Sequence, residues 1–274
     1  MVSGDSWTAG TWEKDENDIP LFITDVTKTI NSEFTLWPEY LGEMLNMDAI
    51  NVGFGSIGNE FIYNNIVDEL SSTKDVGLAV TCWSGHVRWD FNSFGKYGDR
   101  WRTSETLPTQ RLAGRNQIKT LTIDPSVSDE RLSKLYLTNK LKPLVDLILE
   151  NDLVSTEYNF FKSLRWYNAF QNYCESNNIP YMQCSAFNML SDNVISLMLD
   201  HPIFYKMNED HFYGWPMFPQ IGGFNLSVKL NEGDPEMKNL RVSDEDPHPN
   251  TEGHKVIAEL LYKQYEFLYG LPRL

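Results

Sequence analysis

Apolar residues along the chain alternate between short continuous runs and longer stretches with a period of three to four residues. The short runs predict buried strands, because each is bounded by a turn or a polar loop. Five strands are predicted, at Met1–Gly4, Ala49–Phe54, Val76–Trp83, Tyr181–Phe187 and Lys238–Val242. Strands that alternate with helices in this way predict an α/β protein with a mainly parallel sheet.

The periodic stretches predict the helices that cover this sheet. They are Pro38–Leu45, Asn59–Leu70, a long region at about 129–177 with breaks near Pro143 and Asp152, and a last helix from Asn250 or Thr251 to Gly270. Within the long region, an aromatic and aliphatic stripe from Phe160 to Phe170 recurs at helical spacing. We interpret this stripe as core packing rather than as a cofactor site.

Two segments, at about 90–117 and 200–235, lack the periodicity of either element, and the second is rich in aromatic residues, glycine and proline. Long irregular segments in compact domains are often functional loops. Neither segment has enough periodic apolar residues for a core of its own. We therefore expect a single domain over residues 1–274 with elaborated loops at these two places.

Composition and charge exclude several classes of function. The 274 residues are 41% hydrophobic, which is enough for a sizeable core, and 23 Lys and Arg against 38 Asp and Glu give a net charge of −15. So acidic a surface repels phosphate backbones and anionic lipids, so neither nucleic acid nor a membrane is an expected partner. The sequence shows no export signal and no apolar run near the ~20 residues of a membrane helix, which predicts a cytoplasmic protein.

The first candidate for chemistry is Ser6, in the segment Gly4-Asp5-Ser6-Trp7 that directly follows the first predicted strand. A serine at such a turn exposes its hydroxyl at the carboxyl end of the sheet, where open α/β sheets have their sites. The alternative is an ordinary turn or a helix N-cap, for which serine, aspartate and glycine are common.

The second candidate is His248, which lies between two prolines just before the last helix. Three acidic residues precede it: Asp244, Glu245 and Asp246. A nearby carboxylate would hold the histidine tautomer and stabilise the imidazolium, as a serine nucleophile requires. Alternatively, this is a solvated loop, or the carboxylates bind a metal together with His248 and His254, although the spacing matches no zinc or calcium motif.

The serine block and the histidine block occur together and in the order typical of the SGNH (GDSL) hydrolase family, which the sequence therefore resembles. Residues 51–59 resemble the second block of that family, and residues 82–88 fall where its third block is expected. The resemblance implies one SGNH hydrolase-like domain: a three-layer α/β/α sandwich, flavodoxin-like, with a central and mainly parallel five-stranded sheet. It also implies that catalysis needs neither a cofactor nor a metal.

The resemblance further implies Ser6 as nucleophile, His248 as general base and Asp246 as the acid that orients the base. The family often has its aspartate three residues before the histidine, where this chain has Glu245. Asp246 is preferred because its short side chain lies only two residues before His248 and Pro247 between them stiffens the loop. Glu245 stays the alternative.

The oxyanion hole is implied to include the backbone N–H groups of Ser6 and of Gly55 or Ser56, depending on the length of the second loop. The usual asparagine of the third block is missing, and His86 occupies the nearest position. A neutral His86 could donate the third hydrogen bond and Arg88 could add positive charge. The alternative is that both side chains hydrogen-bond the loop itself.

These features predict a serine esterase that acts through an acyl-enzyme on a small-molecule or glycan ester, with a carbohydrate O-acetyl ester as the first choice. Aromatic side chains of the two loops and of the serine block either contact this substrate or pack on one another. They are Trp7, Trp89, Trp101, Tyr205, Phe212, Tyr213 and Trp215. The alternatives are a lipid ester or thioester hydrolase, or a non-catalytic binding protein with the same fold, as in a virion if the chain is phage-encoded. The sequence does not predict an oligomeric state.

Overall fold

The computed structural model describes residues 1–9, 12–14, 20–22, 35–55, 57–92, 118–122, 147–148, 150–151, 153, 155–187, 192–235, 239–242 and 247–271. Their strands are β1 (Val2–Gly4), β2 (Trp12–Lys14), β3 (Pro20–Phe22), β4 (Ala79–Trp83), β5 (Arg88–Asn92), β6 (Ile118–Thr122), β7 (Tyr181–Ser185) and β8 (Phe212–Tyr213). Their helices are α1 (Ser6–Ala9), α2 (Trp37–Leu45), α3 (Asn59–Leu70), α4 (Thr156–Ser176), α5 (Asp192–Leu199), α6 (Leu226–Gly233) and α7 (Thr251–Tyr269).

A parallel sheet in the order β1-β4-β7-β8 forms the centre of the fold. Gly4, at the end of β1, lies opposite Cys82, which in turn lies opposite Cys184 of β7. The carboxyl ends of the strands therefore meet at one edge, and the loops that follow β1 and β4 are neighbours. The α/β class and the parallel sheet predicted from the sequence are confirmed.

The predicted count of five strands is wrong for the described residues, which contribute four to this sheet. Residues 50–54 run beside β1 and exchange hydrogen bonds with it, but they form only a single bridge, between Val2 and Asn51. The predicted strand at Lys238–Val242 is also absent from the sheet. Its residue Arg241 forms an antiparallel bridge with Pro249 instead, so the segment folds back on the loop before α7.

Helices cover both faces of the sheet, as the α/β/α prediction requires. On one face, α3 and α4 pack on Trp83 through side chains such as Ile66 and Phe170. On the other face, α2, α6 and α7 pack on Val80 through side chains such as Ile257. Successive residues of β4 alternate between these two cores, because side chains of a strand point to opposite faces. Among the described residues, no helix combines the length and apolarity of a bilayer-spanning segment.

The two segments expected to be loops differ in their structure. Residues 200–235 contain β8, two short 3-10 turns and α6, and their side chains Phe212 and Phe218 are buried in the core. This segment is therefore partly a structural element of the sheet edge rather than only a loop. For the first segment, the antiparallel pair β5–β6 flanks residues 93–117, which lie outside the described part of the chain.

Candidate active site

Ser6 is the first residue of the short helix α1, one residue after the turn that ends β1. The turn is tight, because a Cβ atom on Gly4 would collide with the Thr8 hydroxyl and lie 2.9 Å from the carbonyl oxygen of Cys82. Glycine is therefore required at this position, and the close approach holds the turn against the neighbouring strand. Ser6 is 6% exposed, so its hydroxyl lies in a nearly closed site at the carboxyl edge of the sheet.

His248 lies in a loop that the start of α7 holds in place. The Val242 N–H donates to the carbonyl oxygen of His248 over 2.9 Å, which closes the loop on itself. Asn250 is the N-cap of α7, and its side chain accepts a hydrogen bond of 3.0 Å from the Gly253 N–H. Such a cap satisfies one of the free N–H groups of the first helical turn. The loop and the helix therefore fix where the histidine backbone lies.

The structure brings the two predicted side chains together. The hydroxyl oxygen of Ser6 lies 2.8 Å from Nε2 of His248, although the residues are 242 positions apart in sequence. This distance is within the ~2.6–3.2 Å at which proton transfer occurs. The candidate orienting acids Asp246 and Glu245, with Asp244, lie outside the described residues.

The second block lies against the serine turn. The Phe54 N–H donates to the carbonyl oxygen of Gly4 over 2.9 Å, which pairs the second block with the end of β1, two residues before Ser6. Gly55 is buried, and within the described part of the chain its N–H and that of Ser6 have no acceptor. An oxyanion hole needs unbonded N–H groups of this kind, and the role of these two groups as its donors stays a prediction. Ser56, the alternative donor, lies outside the described residues.

A buried ionic network lies behind the serine. Asp5 is fully buried, and its carboxylate accepts hydrogen bonds from the Ser84 hydroxyl at 2.8 Å, the Arg88 guanidinium at 3.0 Å and the Trp7 N–H at 3.1 Å. The same guanidinium nitrogen donates to the Ser84 hydroxyl and to the carbonyl oxygen of Ile57. The network thus connects the loops after β1, before α3 and after β4. Of the two roles considered for Arg88, hydrogen bonding within these loops is the one observed.

Asn59 makes a second set of hydrogen bonds between these elements, which the sequence alone did not reveal. Its carboxamide accepts from the Ser84 N–H at 2.8 Å and donates to the Ser84 carbonyl, to the Ser163 hydroxyl and to the Tyr167 hydroxyl. Burial raises the pKa of Tyr167, which keeps its hydroxyl protonated. The amide therefore ties the loop after β4 to α4.

His86 is buried on the side of α4, and its ring meets Phe160 edge-on at a centroid distance of 6.1 Å. Its role as third oxyanion donor stays a prediction. A second histidine near the site, His254, is buried in α7. Burial, and to a lesser extent the neighbouring His248, lowers the pKa of His254 to about 3, so it is neutral at physiological pH. The described residues contain no group of three His, Cys, Asp or Glu side chains arranged as metal ligands.

The aromatic side chains considered as substrate contacts differ in burial: Tyr205 is exposed, Tyr213 and Trp215 are half-buried, and Trp101 lies outside the described residues. Trp7 and Phe212 are buried and pack in the core. Trp89 is half-buried, and its ring lies 6.0 Å from that of Tyr158, which is 47% exposed. The Trp89 indole donates to Asn159 over 2.6 Å, which fixes the ring against α4. Trp89 lies on β5, the strand that also carries the arginine of the ionic network, and Tyr158 lies on α4, so the pair forms an aromatic surface between these two elements.

Comparisons with known proteins give a likeness to solved structures but none to sequences. No protein-family profile and no curated protein sequence matches the chain. Among solved structures, it is similar to a protein from Desulfitobacterium hafniense DCB-2 that is described as lipolytic and of the G-D-S-L family. The identity is 14%, the match covers 96% of this chain and 97% of that chain, and the TM-score is 0.30. Similarity at this level leaves the family and the activity to be argued from the residues of this chain.

Proposed function

We propose that the protein is a serine esterase of the SGNH type, with Ser6 as nucleophile and His248 as general base. The observation that supports this most directly is the 2.8 Å contact between the Ser6 hydroxyl and Nε2 of His248. A serine hydroxyl is a weak nucleophile unless a base accepts its proton, and this contact supplies the base. Asp246 is the proposed orienting acid at the other ring nitrogen, with Glu245 as its alternative.

The proposed reaction is acyl transfer. His248 removes the proton of the Ser6 hydroxyl as the oxygen attacks the ester carbonyl carbon, and the carbonyl oxygen becomes an oxyanion. The N–H groups of Ser6 and of Gly55 or Ser56 bind this oxyanion, with His86 as the third donor. The histidine then returns the proton to the leaving alcohol, and water hydrolyses the acyl-serine by the same steps.

Single and double substitutions test the catalytic pair. We expect Ser6→Ala and His248→Ala each to lower the turnover of p-nitrophenyl acetate by at least ~10³, and the double variant to be little worse than either, because the two residues act as one unit. Ser3→Ala is a matched control, since Ser3 lies on β1, three residues before Ser6, and its hydroxyl donates to the carbonyl oxygen of Ile62. Independent, multiplicative losses would contradict a shared catalytic pair.

For the substrate, we propose a carbohydrate O-acetyl ester. The half-buried Trp89 and the exposed Tyr158 support this, because aromatic faces pack against the apolar faces of sugar rings. We expect acetate release from an acetylated oligosaccharide, and faster hydrolysis of p-nitrophenyl acetate than of the octanoate. Preference for the octanoate would favour a lipid ester instead, and no hydrolysis of any ester would favour a binding protein.

A further inference from the structure

Arg241 is a cation buried to 2% exposure beside the candidate active site. Charged side chains are rarely buried unless several partners compensate the lost hydration. The contacts of this guanidinium therefore show which segments of the chain it holds in place. They reach the residues adjacent to both members of the proposed catalytic pair.

On the histidine side, Arg241 acts through its side chain and its backbone. Nη1 donates to the carbonyl oxygen of Pro247 over 2.8 Å, and the backbone forms an antiparallel bridge with Pro249. The next residue, Val242, donates its N–H to the carbonyl oxygen of His248. Pro247, before the histidine, is thus hydrogen-bonded to this arginine, and Pro249, after it, lies opposite the arginine in the bridge.

On the serine side, the guanidinium carbon of Arg241 lies 4.9 Å from the centre of the Trp7 ring, in a cation–π contact. Trp7 follows Ser6 directly and is 3% exposed, and its ring lies 6.4 Å from the ring of His248. The same cation therefore contacts the residue next to the nucleophile and the residue next to the base.

The helix α6 anchors this arrangement. Nη2 of Arg241 donates to the carbonyl and hydroxyl oxygens of Ser227, both at 3.1 Å, and to the side-chain oxygen of Asn231 at 2.7 Å. With both terminal nitrogens bound and one face on an indole ring, the planar guanidinium has a fixed orientation. It transmits that orientation to the loop that carries the histidine.

We propose that Arg241 is a positioning residue that holds the His248 ring in line with the Ser6 hydroxyl. This inference rests on the proposed function, and Arg241 itself does not touch the reacting atoms. Its removal would let the loop and the Trp7 ring shift against each other. A displacement of about 1 Å at a catalytic group can cost about 100-fold in rate.

The test compares Arg241→Ala and Arg241→Lys with Lys229→Ala as a matched control. Lys229 lies on α6, the helix that anchors Arg241, and its ammonium likewise lies over an aromatic ring, that of Phe224 at 4.3 Å. Its side chain pairs with Glu232, and within the described part of the chain it makes no hydrogen bond to the histidine loop. We expect Arg241→Ala to lower kcat for p-nitrophenyl acetate about 100-fold, with KM within about threefold. Arg241→Lys keeps the positive charge but loses the planar set of N–H donors, so its kcat is expected to lie between those of the wild type and Arg241→Ala. The control is expected to match the wild type.

A second comparison separates positioning from a general structural role. When His248 is already alanine, adding Arg241→Ala is expected to lower kcat by less than about twofold, because there is no imidazole ring left to position. The residual catalysis that survives loss of a triad member makes this rate measurable. If circular dichroism shows that Arg241→Ala is unfolded, Arg241→Lys is compared in both backgrounds instead.

Two results would overturn the inference while leaving the esterase proposal intact. The first is an active wild type in which both Arg241 variants keep kcat within threefold of the control. The second is an equal fold-loss with and without His248. A wild type that hydrolyses no ester at any pH would instead overturn the proposed function, and this inference with it.

Discussion

Replacing Arg88 by methionine should destabilise the protein markedly, because it leaves the carboxylate of Asp5 buried without its cation. Asp5 is fully buried, and Arg88 supplies one of its hydrogen bonds, at 3.0 Å, and its only ion-pair partner among the described residues. Breaking a buried pair costs about 3–5 kcal/mol. The arginine side chain is 21% exposed, so water screens the pair and the lower end, about 3 kcal/mol, is expected.

The assay is thermal unfolding. An unfolding entropy of about 2.1 cal/mol/K per residue gives roughly 0.6 kcal/mol/K for this chain, so about 3 kcal/mol lowers Tm by about 5 °C. Adding Asp5→Asn removes the uncompensated charge, and the double variant should recover to within about 1 kcal/mol of the wild type. Lys229→Met breaks the surface pair with Glu232, at 2.7 Å, and the cation–π contact with Phe224, and should cost less than about 1 kcal/mol. An Arg88→Met variant no less stable than this control would refute the reasoning.

Three further predictions concern Gly4, His254 and the acid that orients His248. Gly4→Ala should lower the free energy of unfolding, measured by denaturation, by about 2 kcal/mol and abolish most activity, because the added Cβ would lie 2.9 Å from a backbone oxygen. Gly233→Ala, where the nearest atom to the added Cβ is 3.6 Å away, should leave both unchanged. Because the pKa of His254 is about 3 in the folded protein and about 6.5 in the unfolded chain, only the unfolded chain binds this proton between those values. Stability should therefore fall as pH falls from 6.5 towards 3, by up to about 1.4 kcal/mol per pH unit, and Tm against pH should be flatter in His254→Gln; parallel curves would contradict this. In a side-by-side ester assay, Asp246→Asn should lower turnover strongly and Glu245→Gln mildly, and the reverse ranking would transfer the orienting role.

Much of the fold follows from local sequence patterns, where those patterns are long enough to show a period. The helix Asn59–Leu70 was predicted with its observed bounds, and β1, β4 and β7 lie within predicted strands. The strand β8 was missed, because two residues inside an aromatic-rich segment show no period. The helix α6 was missed for a related reason, since its apolar face is short and follows a run of glycine and proline.

The two side chains proposed to react, Ser6 and His248, could be singled out from the sequence because each lies in a compact local motif, and they lie 2.8 Å apart in the fold. Their surroundings could not be predicted in this way. The contact between Asp5 and Arg88 joins residues 83 positions apart, and Arg241 reaches Trp7 only because the chain folds back before α7. A single sequence shows neither pairing, since both arise from the packing of loops at the sheet edge. The roles of Ser56 and Asp246 stay predictions.

The most direct test of the central claim is covalent labelling of the nucleophile. A fluorophosphonate reacts with a serine hydroxyl only when a base activates it, so the label reports the contact between Ser6 and His248 in solution. The account predicts one label per chain, located at Ser6 by peptide mass spectrometry and lost in both Ser6→Ala and His248→Ala. An unlabelled wild-type protein, or labelling that persists when His248 is alanine, would contradict it.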